Sequence, residues 1–261
     1  MEEIPKIGIG TWRLKGDECE SIVKMALDVG YRHIDTAFNY ENQESVGKAL
    51  RGFDREQLFI TSKVMLNQGG VEEICDQSLK ELGIDFLDLY VIHWPDRSYP
   101  IENVLESLER LKKQGKIRKF GVSNFTVFHL QDWIRLGADI YCNQVEFHPC
   151  LYQKELWQFC KEHHIEIVAY RPLGKGALLK EPLICQMAHV YSKTAAQILL
   201  RWLFQKNISW IAKASSRERL QENFAIIDFN LKESDMQAID ALNRGQRFCQ
   251  QSWSDFDYKG F

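Results

Sequence analysis

A carboxylate, a phenol, an ammonium and an imidazole fall close together in the chain, as Asp35, Tyr40, Lys63 and His93. A free phenol has a pKa of about 10, too high for an efficient acid near neutrality. A neighbouring ammonium stabilises phenolate and lowers that pKa, each unit being worth about 1.4 kcal/mol. An aspartate paired with the lysine fixes its position and keeps it charged in a partly dry pocket. An imidazole N–H beside the phenol can orient and polarise a carbonyl oxygen. Such a set could deliver a proton to an alkoxide as hydride reaches carbon.

Taken singly, each residue has a plainer reading. A lysine at a strand end exits to solvent, and a histidine after an apolar run is a hydrogen-bonded core residue. A loop tyrosine packs, and an aspartate at a strand end caps the next helix. What ties the four together is the order of the elements around them. Short β-branched and aromatic runs, at 7–11, 33–37, 58–64, 86–93, 117–123, 140–147, 165–170 and 208–214, read as strands. Helical patterns alternate with them, at 17–30, 43–52, 71–83, 101–115, 126–137, 153–164, 194–207 and 217–225. In the fourth of these, Val104, Leu105, Leu108 and Leu111 form an apolar stripe, and Lys112 and Lys113 suit the negative end of the dipole. Eight strand–helix units predict parallel pairing and an α/β fold, a closed (β/α)8 TIM barrel in one domain over 1–261 with a short C-terminal tail. Barrel sites lie at the C-terminal ends of strands. Asp35, Lys63 and His93 occupy three successive ends, and Tyr40 lies just past the first.

Composition narrows the class. The chain has 261 residues, 45% hydrophobic and 26% charged, with a formal charge of −3. No global basic field recruits nucleic acid or an anionic membrane. The seven cysteines form no C-x-x-C pair, and His163 and His164 point apart on a helix, so no metal site is expected. The stretch Met1-Glu2-Glu3-Ile4-Pro5 lacks the cationic and apolar regions of a signal peptide, and no apolar run reaches bilayer length. A cytoplasmic protein is the expectation. Gly8-Ile9-Gly10 is the one G-x-G near a strand, and Arg13 stands where a third glycine would be, so no Rossmann phosphate cradle is expected.

Gly30-Tyr31-Arg32-His33-Ile34-Asp35-Thr36-Ala37-Phe38-Asn39-Tyr40-Glu41-Asn42-Gln43-Glu44 resembles the G-x-R-x-x-D-T-A-x-x-Y-x-x-E signature of the aldo-keto reductase family. Ile92-His93-Trp94-Pro95, Gly121-Val122-Ser123-Asn124-Phe125 and Asn143-Gln144-Val145-Glu146-Phe147-His148-Pro149 are similar to three further family blocks, in order. The likeness runs from about Gly8 to Gln250 and is that of the compact bacterial members. It implies a catalytic tetrad of Asp35, Tyr40, Lys63 and His93, with Tyr40 as general acid in carbonyl reduction. It implies nicotinamide held by Ser123, Asn124 and Gln144 under the Tyr170 ring, with Gly10, Thr11 and Asp35 nearby.

The segment from Ile211 to Asn223 resembles the family's 2′-phosphate block. It implies contacts from Lys213, Ser215, Arg219, Glu222 and Asn223. Ala214 replaces a usual serine there, removing one hydroxyl. Arg171 and Lys175, around Leu173, stand where small polar residues are common, and are expected as added cations near the pyrophosphate. NADPH is therefore the expected cofactor, with NADH as the alternative. Only residues 96–100 separate His93-Trp94-Pro95 from the next helix, and the tail after Arg247 is short. An open, shallow mouth follows, lined by Trp12, Phe38 and Trp94. The aromatics Trp253, Phe256 and Tyr258 either join it or pack on the barrel. The expected substrate is a small aldehyde, 2-oxoaldehyde or keto sugar bound at Trp12, Tyr40, His93 and Trp94, and a monomer is expected. A non-catalytic NADP-binding barrel acting as a partner or structural protein is the alternative function, and such a role does not require the complete tetrad.

Overall fold

The computed structural model describes residues 3–260; Met1, Glu2 and Phe261, the ends of the expected 1–261 unit, lie outside the described residues. Eight strands run in parallel: β1 (Ile7–Gly10), β2 (His33–Asp35), β3 (Phe59–Val64), β4 (Leu87–Ile92), β5 (Ile117–Ser123), β6 (Cys142–Glu146), β7 (Glu166–Tyr170) and β8 (Ser209–Ala212). Each pairs with the next, and β8 closes on β1 through Ile7–Trp210, Gly8–Ile211 and Ile9–Ala212. All eight expected strands are present, most of them trimmed at their ends. The run expected over 33–37 stops at Asp35, two residues before Ala37 caps the turn that carries Tyr40.

Helices cover the outside: α1 (Gly16–Val29), α2 (Gln43–Leu50), α3 (Val71–Leu82), α4 (Ile101–Lys113), α5 (Val127–Arg135), α6 (Lys154–Glu162), α7 (Pro182–Tyr191), α8 (Ala195–Gln205), α9 (Arg217–Phe224) and α10 (Glu233–Asp240). The expected α4 stripe is there, with Val104, Leu108 and Leu111 buried and Leu105 at its margin. Thr126 and Thr194 start α5 and α8 with reciprocal capping boxes to His129 and Gln197. The strand–helix alternation missed two helices. α7 is an extra helix between β7 and α8, opened by Pro182 at its first turn. α10 follows the last strand and precedes the tail.

Strand periodicity puts side chains alternately inside the barrel and under the helices. On β3, Phe59 belongs to the interior cluster with Leu89, Val91, Cys142, Val168 and Ile211, whereas Ile60 and Val64 pack outward. The interior is narrow. A Cβ on Gly8 would lie 2.6 Å from His33 Nδ1, and one on Gly121 would lie 2.6 Å from Cys142 Sγ. Counting in steps of two along this inner face reaches Asp35 after His33, Lys63 after Thr61, His93 after Val91, Gln144 after Cys142 and Tyr170 after Val168. The site is thus the top layer of the barrel's own packing.

α2 leaves directly from the loop bearing Tyr40, so its docking sets where that loop starts. Gly47 in mid-helix lets α2 approach α3: a Cβ there would meet the Leu82 carbonyl oxygen at 2.4 Å. Gly47→Ala should therefore destabilise the fold by about 1–3 kcal/mol, despite alanine's better helix propensity. Urea unfolding checks this, and an unchanged or raised midpoint would contradict the packing argument.

Candidate active site

The centre of the site is an ion pair sealed from water. Lys63 Nζ donates to Asp35 Oδ1 at 2.5 Å and to the Thr36 carbonyl at 2.8 Å, with both charged side chains essentially unexposed. Gln144 Nε2 donates to the second oxygen, Asp35 Oδ2, at 2.8 Å. Burial pushes the Asp35 pKa up and the Lys63 pKa down, and each charge opposes the shift of the other. Replacing the lysine would leave a buried carboxylate without a counter-charge, which typically costs several kcal/mol.

Tyr40 ends a 3-10 turn, Phe38–Tyr40, that Glu41 terminates in the left-handed region. Asn42, unremarked in the sequence, holds this turn in place. Its Nδ2 donates to the carbonyls of Thr11 and Leu14 at 2.9 and 3.0 Å, and its Oδ1 accepts from Thr36 Oγ1 at 2.8 Å. Gln43 occupies the position of the signature's closing glutamate, with Glu44 one residue later. Gln43 Oε1 accepts from Ser62 Oγ at 2.6 Å and ties α2 to β3. The Tyr40 ring lies 5.6 Å from the His93 ring and 5.0 Å from Lys63 Nζ.

The expectation that Lys63 lowers the phenol's pKa is not met. Burial, the Asp35 charge and Cys249 push Tyr40 well above the ordinary tyrosine value, and only Arg171 opposes them. Lys63 is neutralised by Asp35, so its field at the phenol is largely cancelled. Tyr40 consequently carries its proton throughout the neutral range.

Burial and the Lys63 charge hold His93 well below the ordinary histidine pKa, so its ring is neutral. Its Nδ1 is buried without a partner among the described residues. An orphaned N–H costs more than an unfilled lone pair, which places the single proton on Nε2 and makes that nitrogen a donor.

Ser123, Asn124, Gln144 and Tyr170 converge beside these groups. Ser123 Oγ donates to the Gln144 carbonyl at 2.7 Å, and Asn124 Nδ2 donates to the His93 carbonyl and to Ser123 Oγ, both at 3.0 Å. Asn124 takes φ +65 and accepts from the Tyr170 hydroxyl at 2.6 Å. Gln144 Oε1 accepts from no described residue, which leaves it for an incoming amide N–H. The donor set and the flat Tyr170 ring fit a carboxamide-bearing aromatic ring. Thr11 backs the layer, its hydroxyl donating to the Asp35 carbonyl at 3.0 Å. A Cβ on Gly10 would make only ordinary contact with Ile211, at 3.8 Å, so crowding does not require glycine there.

After β8, Lys213 and Arg219 are exposed at the start of α9, where Arg219 donates to Ser215 Oγ at 3.3 Å and Ser216 caps the helix. Asn223 is buried beneath them. Glu222 instead accepts from Thr194 Oγ1 at 2.5 Å, turning its carboxylate toward the start of α8. Lys175 is exposed in the left-handed region, and Leu173 is half-buried on the core just before it. Arg171 does not reach out beside them: its guanidinium donates to the Phe248 carbonyl at 2.5 Å and lies 5.2 Å from the Trp12 ring centroid.

Both alternatives for the tail are realised. Trp253 and Phe256 meet Trp94 at 4.9 and 5.6 Å, whereas Tyr258 is buried on α5, its hydroxyl donating to Asp132 at 2.5 Å. Asp255 accepts from Arg97 at 2.6 Å, and Glu146 accepts from the backbone N–H groups of Phe248 and Cys249 at 2.7 and 2.6 Å. A cavity of about 510 Å³ opens between Trp94, Met65, Asn67, Arg97 and Trp253. Trp12 and Phe38 do not line it; Trp12 stands exposed on the rim.

The histidines give the fold a pH dependence. Burial lowers His33 to about 3 and His93 well below its ordinary value. Below pH ~6.5 the unfolded chain binds protons that the fold refuses. Stability is complete above that pH and falls as pH drops toward the folded values, by up to about 1.4 kcal/mol per unit per histidine. His93→Gln should make this decline shallower between pH 6.5 and 5, as urea unfolding at each pH will show. Parallel curves would mean that His93 is protonated in the fold.

The profile described as the Aldo/keto reductase family matches residues 6–244. The glyoxal reductase of Bacillus subtilis (strain 168) is 44% identical over 253 residues, covering 94% of this chain and 91% of its own. The methylglyoxal reductase DkgA of Yersinia pestis is 39% identical, with the same two coverages of 94% and 91%. The crystal structure of MGS-M4, an aldo-keto reductase from a deep-sea metagenome library, superposes with a TM-score of 0.90 at 38% identity, covering 99% of this chain and 97% of that one. Members of this family are oxidoreductases that act on carbonyl groups with nicotinamide cofactors. With its closed eight-stranded barrel and these relatives, the chain belongs to the aldo/keto reductase family.

Proposed function

We propose that this enzyme, working as a single 1–261 domain, reduces small aldehydes, 2-oxoaldehydes or keto sugars to alcohols with NADPH, and that Tyr40 is the proton donor. The observation that carries the reading is the meeting of the Tyr40 phenol, whose hydroxyl has no hydrogen-bond partner among the described residues, with the His93 ring at 5.6 Å and the carboxamide-compatible set under Tyr170. The reduced nicotinamide supplies the hydride. The substrate carbonyl oxygen accepts from His93 Nε2 and from the Tyr40 hydroxyl. As negative charge develops on that oxygen, the Tyr40 proton transfers to it, since an alkoxide is a far stronger base than a phenolate. The phenolate is left with its ring centre 5.0 Å from the Lys63 ammonium, whose field Asp35 largely offsets, so it is short-lived and a solvent proton restores the phenol. The shared name of the glyoxal- and methylglyoxal-reducing relatives favours 2-oxoaldehydes within this class.

Ser123, Asn124 and Gln144 would hold the carboxamide and Tyr170 the ring face. Lys213, Arg219 and Asn223 would hold the 2′-phosphate at the start of α9. No helix among the described residues is long and apolar enough to cross a membrane. A monomer in the cytoplasm is part of the same proposal.

Tyr40→Phe should lower kcat for methylglyoxal by about 10²–10⁴-fold, the range for loss of a general acid, while NADPH binding is retained. Turnover near the wild-type rate would remove Tyr40 from the chemistry. Lys213→Met and Arg219→Met should each raise KM for NADPH by about ten-fold or more and leave NADH less affected, because each removes a charge-assisted bond. Equal catalytic efficiency with both cofactors in the unaltered enzyme would contradict the NADPH assignment.

A further inference from the structure

Glu146 ends β6 with a carboxylate that water does not reach and that the proposed chemistry does not use. It lies two residues beyond Gln144 on the same inner face and is paired with Tyr170 across the β6–β7 ladder. A buried carboxylate is tolerated only where donors surround it. Here the Phe248 N–H donates to Oε1 at 2.7 Å, the Cys249 N–H donates to Oε2 at 2.6 Å, and His148 Nε2 lies 3.0 Å from Oε1. Burial pushes the Glu146 pKa up, but these bonds outweigh burial and hold it below the ordinary glutamate value, so the charge is retained.

Phe248 is thereby stretched between two strands. Its N–H goes to the end of β6, while its carbonyl accepts from Arg171 Nη1, one residue past Tyr170, at 2.5 Å. Its ring reaches the loop after β7, where a Cβ on Gly174 would lie 3.0 Å from Phe248 Cε2. Burial is the main cause of the raised Tyr40 and Tyr170 pKa values, and Cys249 adds to both, which places it beside the two phenols. The start of the tail is thus a lintel across the Tyr170 side of the mouth, and Glu146 is the group that fixes it.

We infer that Glu146 is a positioning residue for the nicotinamide end of the cofactor, acting through residues 248–249 of the tail. The inference rests on the proposed placement of nicotinamide under Tyr170, and it gives Glu146 no contact with cofactor or substrate. A strap that closes one side of a pocket and the ligand that fills the pocket order each other, and such coupling is reciprocal. Bound nicotinamide therefore steadies residues 248–249, and the carboxylate that steadies them raises the affinity for nicotinamide. The adenosine end, proposed at the start of α9, bears on none of these bonds.

Glu146→Gln keeps the shape of the side chain but sets an NH2 group against a backbone N–H. Phe248→Pro removes one N–H from the tail side and leaves the barrel untouched, so it reads the same clasp if the first variant folds poorly. Tryptophan fluorescence gives Kd for NADPH and for adenosine 2′,5′-bisphosphate, which lacks nicotinamide. Amide hydrogen exchange follows residues 248–249 with and without NADPH. In the unaltered protein, exchange there should slow when NADPH binds. Each variant should lose that slowing and bind NADPH about five-fold or more weaker, with bisphosphate affinity within about two-fold of the parent. Equal weakening of both ligands would overturn the inference, as would NADPH binding within about two-fold of the parent, or exchange at 248–249 that the variants leave unchanged. An unaltered protein that shows this split but reduces no carbonyl would refute the proposed reduction and leave the role of Glu146 standing.

Discussion

Everything at the mouth of this barrel is arranged around a charge pair that water cannot reach. Lys63 and Asp35 are 2.5 Å apart at the top of the interior packing, and taking both from water is expensive. The surroundings meet that cost with further bonds. Thr36 offers its carbonyl to the ammonium, and Gln144 offers its amide to the second carboxylate oxygen. Those bonds join β2, β3 and β6, so the pair organises strands on different sides of the barrel. They also fix the electrostatics of the neighbours. Burial together with Lys63 keeps His93 neutral, and burial together with the Asp35 charge keeps the Tyr40 proton in place. A phenol that resists ionisation on its own keeps its proton until a stronger base, such as a developing alkoxide, takes it.

The groups beside the pair are satisfied by one another. Ser123, Asn124 and Tyr170 form a chain of hydrogen bonds that ends on the backbone of His93 and Gln144. Such a network positions each member without any ligand, so little reorganisation remains when a ligand arrives. The tail is fastened by the same logic. Glu146 takes two of its N–H groups at one end, and Arg97 and Asp132 hold Asp255 and Tyr258 at the other.

Much of this was legible in the sequence because the barrel obeys simple periodicities. The eight strands announced themselves by β-branched and aromatic runs, and a step of two along each inner face leads to Asp35, Lys63, His93, Gln144 and Tyr170. Tyr40 needed the family signature, because it lies in a turn whose shape depends on Asn42 bonding across three segments. The direction of the Tyr40 shift was not legible. A nearby lysine suggests a lowered value, but once Asp35 neutralises that lysine, burial decides. Arg171 shows a similar limit: its position after β7 suggests the phosphate side, yet its left-handed backbone turns it toward Trp12 and Phe248. α7 and α10 escaped because they lie outside the strand–helix alternation.

The closing seam of the barrel has a consequence in time. β1 pairs with β8, so Ile7 must wait for Trp210 before the sheet has no edges. During synthesis, Asp35, Tyr40, Lys63 and His93 all emerge long before that partner exists. Until the seam joins, the edge of β1 is free and water reaches the place where the ion pair will sit. In that interval Lys63 and Asp35 are ordinary hydrated charges with little reason to associate. Sealing the whole mouth thus depends on the most distant pairing in the sheet, and an open barrel would present a sticky strand edge in place of a reaction site.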